Sequence, residues 1–258
     1  MCDKEVGCFA FSLENDFCTV ENFIVLCYDK NKFNSQRGSM ITYNDIKNNE
    51  NIRTYIKKAD EALIVLGYTE HSFAHVTRVA ETAGYILETL GHSAHEAELV
   101  RIAGYLHDIG NLVNRVEHSQ SGAVMAFRIL DKLGMPAEDI ADIITAIGNH
   151  DEGTASPVNA ISAALFLADK SDVRRTRVRN QDFSTFDIHD RVNYSVTHSS
   201  LVINEEKTEI TLRLEIDAQY STVADYFEIF LHRMLLCRKA ADHLGLKFRL
   251  VINDQILM

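Results

Sequence analysis

The chain has 258 residues, of which 46% are apolar and 24% charged, and its formal net charge is −11 at pH 7. This composition is typical of a soluble globular protein with one full-sized core. The negative charge argues against a protein that coats long nucleic acid, because the backbone phosphates would repel it. No apolar run approaches the roughly 18 to 20 residues that span a bilayer, and the N-terminus lacks the basic-then-apolar order of a secretion signal. A cytoplasmic protein without membrane contact is therefore expected.

Residues 1–39 differ in character from the rest of the chain. They contain four of the five cysteines and show neither helical nor strand periodicity. The cysteines form no CxxC pair, so neither a disulfide framework nor a thiolate zinc site is predicted. We expect the natural start at Met40, since Arg37 and Gly38 can be encoded by a purine-rich stretch that resembles a ribosome-binding sequence. A genuine N-terminal extension is the alternative.

Apolar periodicity predicts a helical domain over residues 40–190. Helices are expected over about 44–66 (as one or two segments), 71–90, 93–108 and 119–133. Pro136 suits the first turn of a fifth helix, and Ser156-Pro157 is the expected start of a sixth. Ser93 and Glu96 have the spacing of a capping box, which marks the start of the third segment. In the helix that starts at Ser156-Pro157, the apolar residues that face the interior are expected to begin at Val158.

After about residue 190 the apolar period changes from that of a helix to that of a strand. "EITLRLEI" alternates strictly, and "SSLVIN" before the turn "EEKT" is its expected hairpin partner. A helix over about 221–244 follows, and "KFRLVIN" alternates again. The sequence thus predicts a mainly α protein in which residues 191–258 form a small α+β unit of β-hairpin, helix and strand. The edge of such a sheet could pair with a second copy, which makes a homodimer a hypothesis.

Several apolar stripes, extended along their helices, carry a polar side chain towards the predicted interior. The residues placed in this way are His75, His107, His118, His150 and Asp169. A single inward histidine is more often a hydrogen-bonded core residue. Four converging imidazoles and a carboxylate without enough basic partners are instead typical of a site for one or two divalent metal ions.

The contexts of these residues are similar to those of a known family. His75 in "HVTRVA", the pair His107-Asp108 in "LHDIG" and Asp169 in "LADKSD" resemble the ordered H…HD…D signature of the HD-domain superfamily of metal-dependent phosphohydrolases. His118 in "EHSQSGA" and His150 in "IGNHDE" resemble the additional histidines of its two-metal branch. The resemblance covers about residues 50–180 and implies an HD-domain helical bundle.

The resemblance also implies a ligand set. One metal ion would be held by His75, His107, Asp108 and Asp169, and Asp108 would bridge to a second ion bound by His118 and His150. The imidazole-rich ligands favour Fe, Mn, Co, Ni or Zn over Mg. Ions held in this way could bind a hydroxide at neutral pH and present it in line to a phosphorus.

Acid–base and substrate-binding residues are expected around these ligands. His71, one turn before His75, and Asp151 are candidates for proton transfer beside Asp108. The basic segment "KSDVRRTRVR" follows Asp169, and guanidinium and ammonium groups there suit phosphate oxygens. The predicted substrate-binding residues are Lys170, Arg174, Arg175 and Asn111. A solvated basic turn that pairs with Asp182 and Asp187 is the alternative for this segment.

The expected function is hydrolysis of a phosphoester or phosphoanhydride of a small metabolite or nucleotide by a metal-bound hydroxide. Many phosphohydrolases of the family have Lys after "HDIG", where this chain has Asn111. Two alternatives therefore stay open. One is a mixed-valent di-iron oxygenase that cleaves a C–C or C–P bond with dioxygen, and the other is a non-hydrolysing nucleotide-binding sensor.

Overall fold

A computed structural model describes residues 40–153 and 155–258, and within these ranges nine helices and four strands are formed. The helices are α1 (Tyr43–Lys47), α2 (Glu50–Val65), α3 (Phe73–Leu90), α4 (Ala94–Leu106), α5 (His118–Leu133), α6 (Ala137–Gly148), α7 (Ala160–Ser171), α8 (Ile188–Ser195) and α9 (Val223–His243). The strands are β1 (Val196–Ile203), β2 (Glu209–Ile216), β3 (Lys247–Ile252) and β4 (Gln255–Ile256). The prediction of a mainly α fold with a small C-terminal sheet is confirmed. The hypothesis about residues 1–39 lies outside the described residues.

Most helix starts follow the side-chain caps that the sequence supplies. Ser93 and Glu96 form the predicted capping box of α4. The predicted start at Ser156-Pro157 is wrong, because α7 begins at Ala160. Its cap is Asn159, whose side chain accepts the backbone N–H of the residue three positions on. Val158 consequently precedes the helix and is 51% exposed rather than inward. Similarly, Pro136 is the N-cap of α6, one residue before its first turn.

The core around the candidate site is formed where α4 packs closely against α3. A Cβ atom at Gly104 of α4 would lie only 2.7 Å from the Cα of Ala80 in α3, so the absence of a side chain there permits this approach. Helix α7 packs against both α3 and α4. The three helices place the ends of their apolar stripes side by side, which brings their polar positions together.

The sheet has the strand order β1-β2-β3-β4. The predicted hairpin of β1 and β2 is antiparallel, β3 is parallel to β2 across the α9 connection, and β4 is antiparallel to β3. The short β4 was not predicted; it follows a two-residue turn in which Asn253 and Asp254 have φ angles of 48° and 64°. Helix α9 packs against both β3 and α7.

Residues 41–258 form one compact unit. The domain boundary predicted between residues 190 and 191 falls within α8 and stays a prediction. Across the described ranges, every helix is too short or too polar to cross a bilayer.

Candidate metal centre and cavity

Helix ends and adjacent turns bring the six predicted metal ligands together in the interior. The residues are His75 in α3, His107 at the C-cap of α4, Asp108 directly after it, His118 at the start of α5, His150 after α6 and Asp169 near the end of α7. All six are buried. Burial of so many polar side chains is costly unless each finds a partner, so the contacts between them decide what the site can do.

The carboxylate of Asp108 lies between two pairs of histidines. Its Oδ2 atom is 3.6 Å from Nε2 of His75 and 3.3 Å from Nε2 of His107. Its Oδ1 atom is 3.5 Å from Nε2 of His118 and 3.9 Å from Nε2 of His150. Asp169 joins the first pair, since its Oδ1 atom is 3.4 Å and 3.7 Å from the same two Nε2 atoms.

We call His75, His107 and Asp169 the deep subsite, and His118 and His150 the cavity-facing subsite; Asp108 lies between the two. His75 and His107 are completely buried, whereas His118 and His150 line a cavity.

The second ring nitrogen of each histidine is already occupied. The Nδ1–H groups donate to Gly104 O from His107 (2.7 Å), to Ile147 O from His150 (2.6 Å) and to Arg115 O from His118 (3.1 Å). In His75, Nδ1 instead contacts a carboxylate, Oδ2 of Asp172, at 2.7 Å. A carbonyl can only accept a hydrogen bond, so Nδ1 carries a proton in the first three rings and Nε2 is the nitrogen left to face the carboxylates.

Two of these atoms, Nε2 of His75 and Nε2 of His107, are buried without a hydrogen-bond partner. A buried polar atom without a partner is rare and calls for an explanation. Among the residues that the structure describes, ligand atoms close enough to share one ion occur in two groups, His75 with His107 and Asp169, and His107 with Asp108 and His150. Both groups fit a divalent cation, because each combines imidazole nitrogens with an anionic oxygen.

Electrostatics support the same interpretation. Burial raises the pKa of Asp108, but His107 and other neighbouring groups outweigh burial and hold that pKa well below its usual range. Burial likewise raises the pKa of Asp169, and Lys170 and His107 outweigh it. Burial lowers the pKa of His107, yet the two carboxylates raise it to about 10. The ionised form of the buried carboxylates is thus stabilised by nearby positive charge, and a divalent ion can supply this charge in place of a proton on His107.

A cavity of about 370 Å³ opens onto the cavity-facing subsite and the two carboxylates. Three predicted residues besides the ligands line it: His71, Asp151 and Lys170. Burial and Arg177 lower the pKa of His71 well below its usual range, so this ring is neutral at neutral pH. The Nζ atom of Lys170 lies 2.7 Å from Oδ2 of Asp169 and 3.7 Å from Oε1 of Glu152.

The other predicted substrate-binding residues contact different groups. Arg174 donates to Asp172 and Glu70, and Arg175 donates to Tyr194 O and stacks on aromatic rings, so neither lines the cavity. Asn111 donates through Nδ2 to both the backbone oxygen and Oδ1 of Asp108, each at 2.9 Å, and so orients that carboxylate.

Several cavity residues were not found by sequence reasoning. Two of them are cationic groups of the wall, Arg115 and Arg233, whereas Arg177, which also lines the cavity, belongs to the basic segment that the sequence indicated. Arg233 in α9 donates from Nε to Oε1 of Glu152 at 2.7 Å, and its guanidinium lies 4.1 Å from the centre of the Phe230 ring. Asp172, the partner of His75, was also missed. It lies three residues after Asp169 at the end of the same helix, and this spacing could have indicated it.

The comparisons with known proteins agree with this geometry. The family model described as "HD domain" matches residues 72–228. That match covers more than half of the chain, so the protein belongs to the HD domain family, and the predicted membership in the HD-domain superfamily is confirmed.

The chain is also similar to individual proteins. It is 24% identical over 225 residues to an uncharacterized protein of Methanocaldococcus jannaschii, covering 78% of this chain and 85% of that protein. A solved structure, a predicted HD superfamily hydrolase from an uncultured Thermotogales bacterium, has 25% sequence identity and a TM-score of 0.36, covering 48% of this chain and 68% of that one.

Proposed function

We propose that the protein is a metal-dependent phosphohydrolase that cleaves a phosphoester or phosphoanhydride of a small metabolite or nucleotide. One observation carries the proposal. The Nε2 atoms of His75 and His107 are buried without partners and face the carboxylates of Asp108 and Asp169. Because both carboxylates are held ionised, the centre needs cations, and the adjoining cavity gives a substrate access to it.

The proposed ligand assignment follows the two subsites. The deep subsite with Asp108 would hold one ion, and the cavity-facing subsite with Asp108 would hold the second. Bound divalent ions supply Lewis acidity, which neutralises phosphate oxygens and makes water a stronger acid. The proposal includes two bound ions and a metal from the set Fe, Mn, Co, Ni and Zn.

The protein side chains around the centre have distinct roles in this proposal. Lys170 fixes Asp169 through Oδ2 and leaves Oδ1 facing the imidazoles. Arg115 and Arg233 bind phosphate oxygens from the cavity wall. His71 donates its Nδ1–H to Thr69 O at 2.7 Å, so its Nε2 is free to accept a proton. Asp151 lines the cavity and is the second group able to hold a proton.

The test combines metal analysis with a phosphate-release screen on one sample. Protein purified without oxygen is analysed for metals and then supplied with nucleotides and sugar phosphates. We expect metal in the wild type and phosphate release from at least one substrate. His107→Ala should lose metal and reduce turnover below detection, while the matched control His232→Ala, an exposed histidine of α9, should retain both.

Other results would contradict the proposal. Full turnover by His107→Ala would exclude the site. Two irons per chain with oxygen uptake and no phosphate release would favour the mixed-valent di-iron oxygenase, which the four imidazoles also suit. Tight nucleotide binding by metal-loaded protein without turnover would favour the sensor.

A further inference from the structure

The two subsites differ in what supports their histidines. His75 of the deep subsite has a carboxylate partner, because its Nδ1 lies 2.7 Å from Oδ2 of Asp172. The Nδ1 atoms of His107, His118 and His150 contact neutral backbone carbonyls instead. A carboxylate behind an imidazole makes the opposite nitrogen a stronger electron donor and fixes the orientation of the ring.

Asp172 is held rigidly by three arginines, which we call the arginine clamp: Arg78, Arg174 and Arg177. The carboxylate is only 1% exposed. Its Oδ1 atom accepts from Nε of Arg174 at 2.8 Å and lies 3.3 Å from Nε of Arg78. Arg177 donates from Nη1 to the backbone oxygen of Asp172 at 2.8 Å.

The clamp is itself anchored at both ends. Arg174 donates from Nη2 to Oε2 of Glu70 at 2.8 Å, and Arg177 donates from Nε to Glu70 O at 2.9 Å. Arg78 donates from Nη2 to Ser199 O of β1 at 3.0 Å. Two of the five basic residues of the segment after Asp169, Arg174 and Arg177, therefore neutralise and fix one buried acid, and a substrate phosphate would have to compete with that acid for them.

The cavity-facing subsite differs in that a cation lies next to a ligand nitrogen itself, whereas in the deep subsite the cations contact carboxylates, Lys170 at Asp169 and the arginine clamp at Asp172. Arg115 places Nη1 3.4 Å from Nε2 of His118, the atom that faces Asp108. A guanidinium at this distance disfavours a divalent cation on the same nitrogen. His118 and His150 also line the cavity, so water and solutes reach them directly.

We infer that the two subsites bind divalent ions with unequal affinity: Asp172 in the arginine clamp makes the deep subsite the tighter one, and Arg115 keeps the cavity-facing subsite the weaker one. The inference rests on the two-ion centre of the proposed function and adds an order of filling. A resident ion occupies the deep subsite, and an exchangeable ion occupies the subsite next to the substrate.

The test is titration of metal-free, full-length protein with Co²⁺. Binding is measured by calorimetry and by the visible absorption of the bound ion. We expect two resolved steps in the wild type. Asp172→Asn keeps the shape of the side chain and removes its charge, and it should weaken the tight step roughly 10- to 100-fold while changing the weak step less than about threefold. Arg115→Gln should tighten the weak step several-fold and leave the tight step unchanged.

Asp172→Asn leaves three arginines without their acid, so the fold of this variant without metal is checked by circular dichroism and thermal unfolding. Two further variants distinguish a loss of metal affinity from a folding defect. Arg78→Gln retains Asp172 and changes a side chain that is 47% exposed, so it should fold and weaken the tight step about threefold in the same direction. Asp182→Asn, which alters an exposed turn, is the matched control and should change neither step.

Two outcomes overturn the inference: two equal binding steps in the wild type, or a tight step unchanged in Arg78→Gln and in any folded Asp172→Asn. The proposed function fails separately. Unequal Co²⁺ steps with no phosphate release would reject the hydrolase and keep the inference, whereas phosphate release with equal steps would do the reverse.

Discussion

The deep subsite and the wall of the cavity are built in different ways. We call the deep subsite of His75, His107 and Asp169 the floor; it comes from three helices that pack directly against each other, and of its residues only Asp169 lines the cavity itself. The wall groups Arg115 and Arg233 come from a loop and from the C-terminal helix α9. Floor positions are thus fixed by helix geometry, whereas the wall depends on contacts between distant segments, such as the partly exposed ion pair of Arg233 with Glu152.

This difference has an energetic consequence. Floor groups are buried, so each lost partner leaves an uncompensated charge or an orphaned nitrogen, which is costly. Half-exposed pairs such as Arg233–Glu152 contribute about 1 kcal/mol or less to stability. We therefore expect changes to the floor to affect folding and metal binding, and changes to the wall to affect substrate binding.

The largest effect is expected at Gly110, in the turn that follows Asp108. A Cβ atom there would lie 1.9 Å from the backbone oxygen of His118 and 2.5 Å from the backbone nitrogen of Gly122. Neither backbone atom can move without displacing α5, so Gly110→Ala should lower the free energy of unfolding by about 3 kcal/mol or more. Urea denaturation of the metal-free protein measures the change.

Gly148→Ala is the matched control for this variant. A Cβ atom at Gly148 would meet nothing closer than 3.7 Å, an ordinary contact with Ala123. Its stability should stay within about 1 kcal/mol of the wild type. Wild-type stability in Gly110→Ala would mean that the buried backbone between Asp108 and α5 tolerates movement, and the expected contrast between buried positions and the wall would then be wrong.

The floor could be predicted from sequence because its residues continue apolar stripes. Adding four positions to buried Ala103 and Leu165 reaches His107 and Asp169 of the floor, and adding three to Ile147 reaches His150 of the cavity-facing subsite; the helix period determines that they face inward. Asn111 was placed near the centre, but its contact with Asp108 depends on the 3₁₀ turn after α4, which no periodicity describes.

The wall could not be predicted in the same way. Arg233 lies on the helix that crosses between β2 and β3, and only the packing of α9 against α7 brings it to the cavity. Arg174 and Arg175 show the opposite error. A basic run next to a ligand predicted phosphate binding for both, yet neither lines the cavity. Asp172 is close to Arg174 in sequence, but sequence alone does not reveal that Glu70 of a distant segment lies within reach of the same guanidinium.

A second prediction concerns the wall itself. Arg233→Gln removes the charge that faces the cavity and the ion pair with Glu152. We expect metal content at the wild-type level, and a KM for the phosphorylated substrate raised roughly tenfold, since a hydrogen bond to a charged group contributes about 1.5 kcal/mol. Steady-state kinetics with metal analysis measures both.

Arg128→Gln, in which an exposed arginine of α5 is changed, serves as the control and should leave KM unaltered. Loss of metal from Arg233→Gln would show that the wall supports the floor. An unchanged KM would remove Arg233 from the substrate-binding residues.

The smallest effect is expected at the start of α4, the end of that helix farthest from His107. Ser93→Ala removes the capping box and should lower the free energy of unfolding by about 1 kcal/mol at pH 7. The hydrogen bond from Ser93 contributes most to lowering the pKa of Glu96, from 4.5 to about 2. A lowered carboxylate pKa stabilises the folded state above pH 4.5, and this stabilisation is lost as the pH falls towards 2.

The difference between wild type and Ser93→Ala should therefore be complete at neutral pH and shrink below pH 4.5, as urea denaturation across this range would record. Both proteins should bind Co²⁺ identically, because the packing of α4 against α3 and α7, rather than its capped end, positions His107. A weakened tight step in Ser93→Ala would show instead that fraying at one end of α4 is transmitted along the helix to the deep subsite.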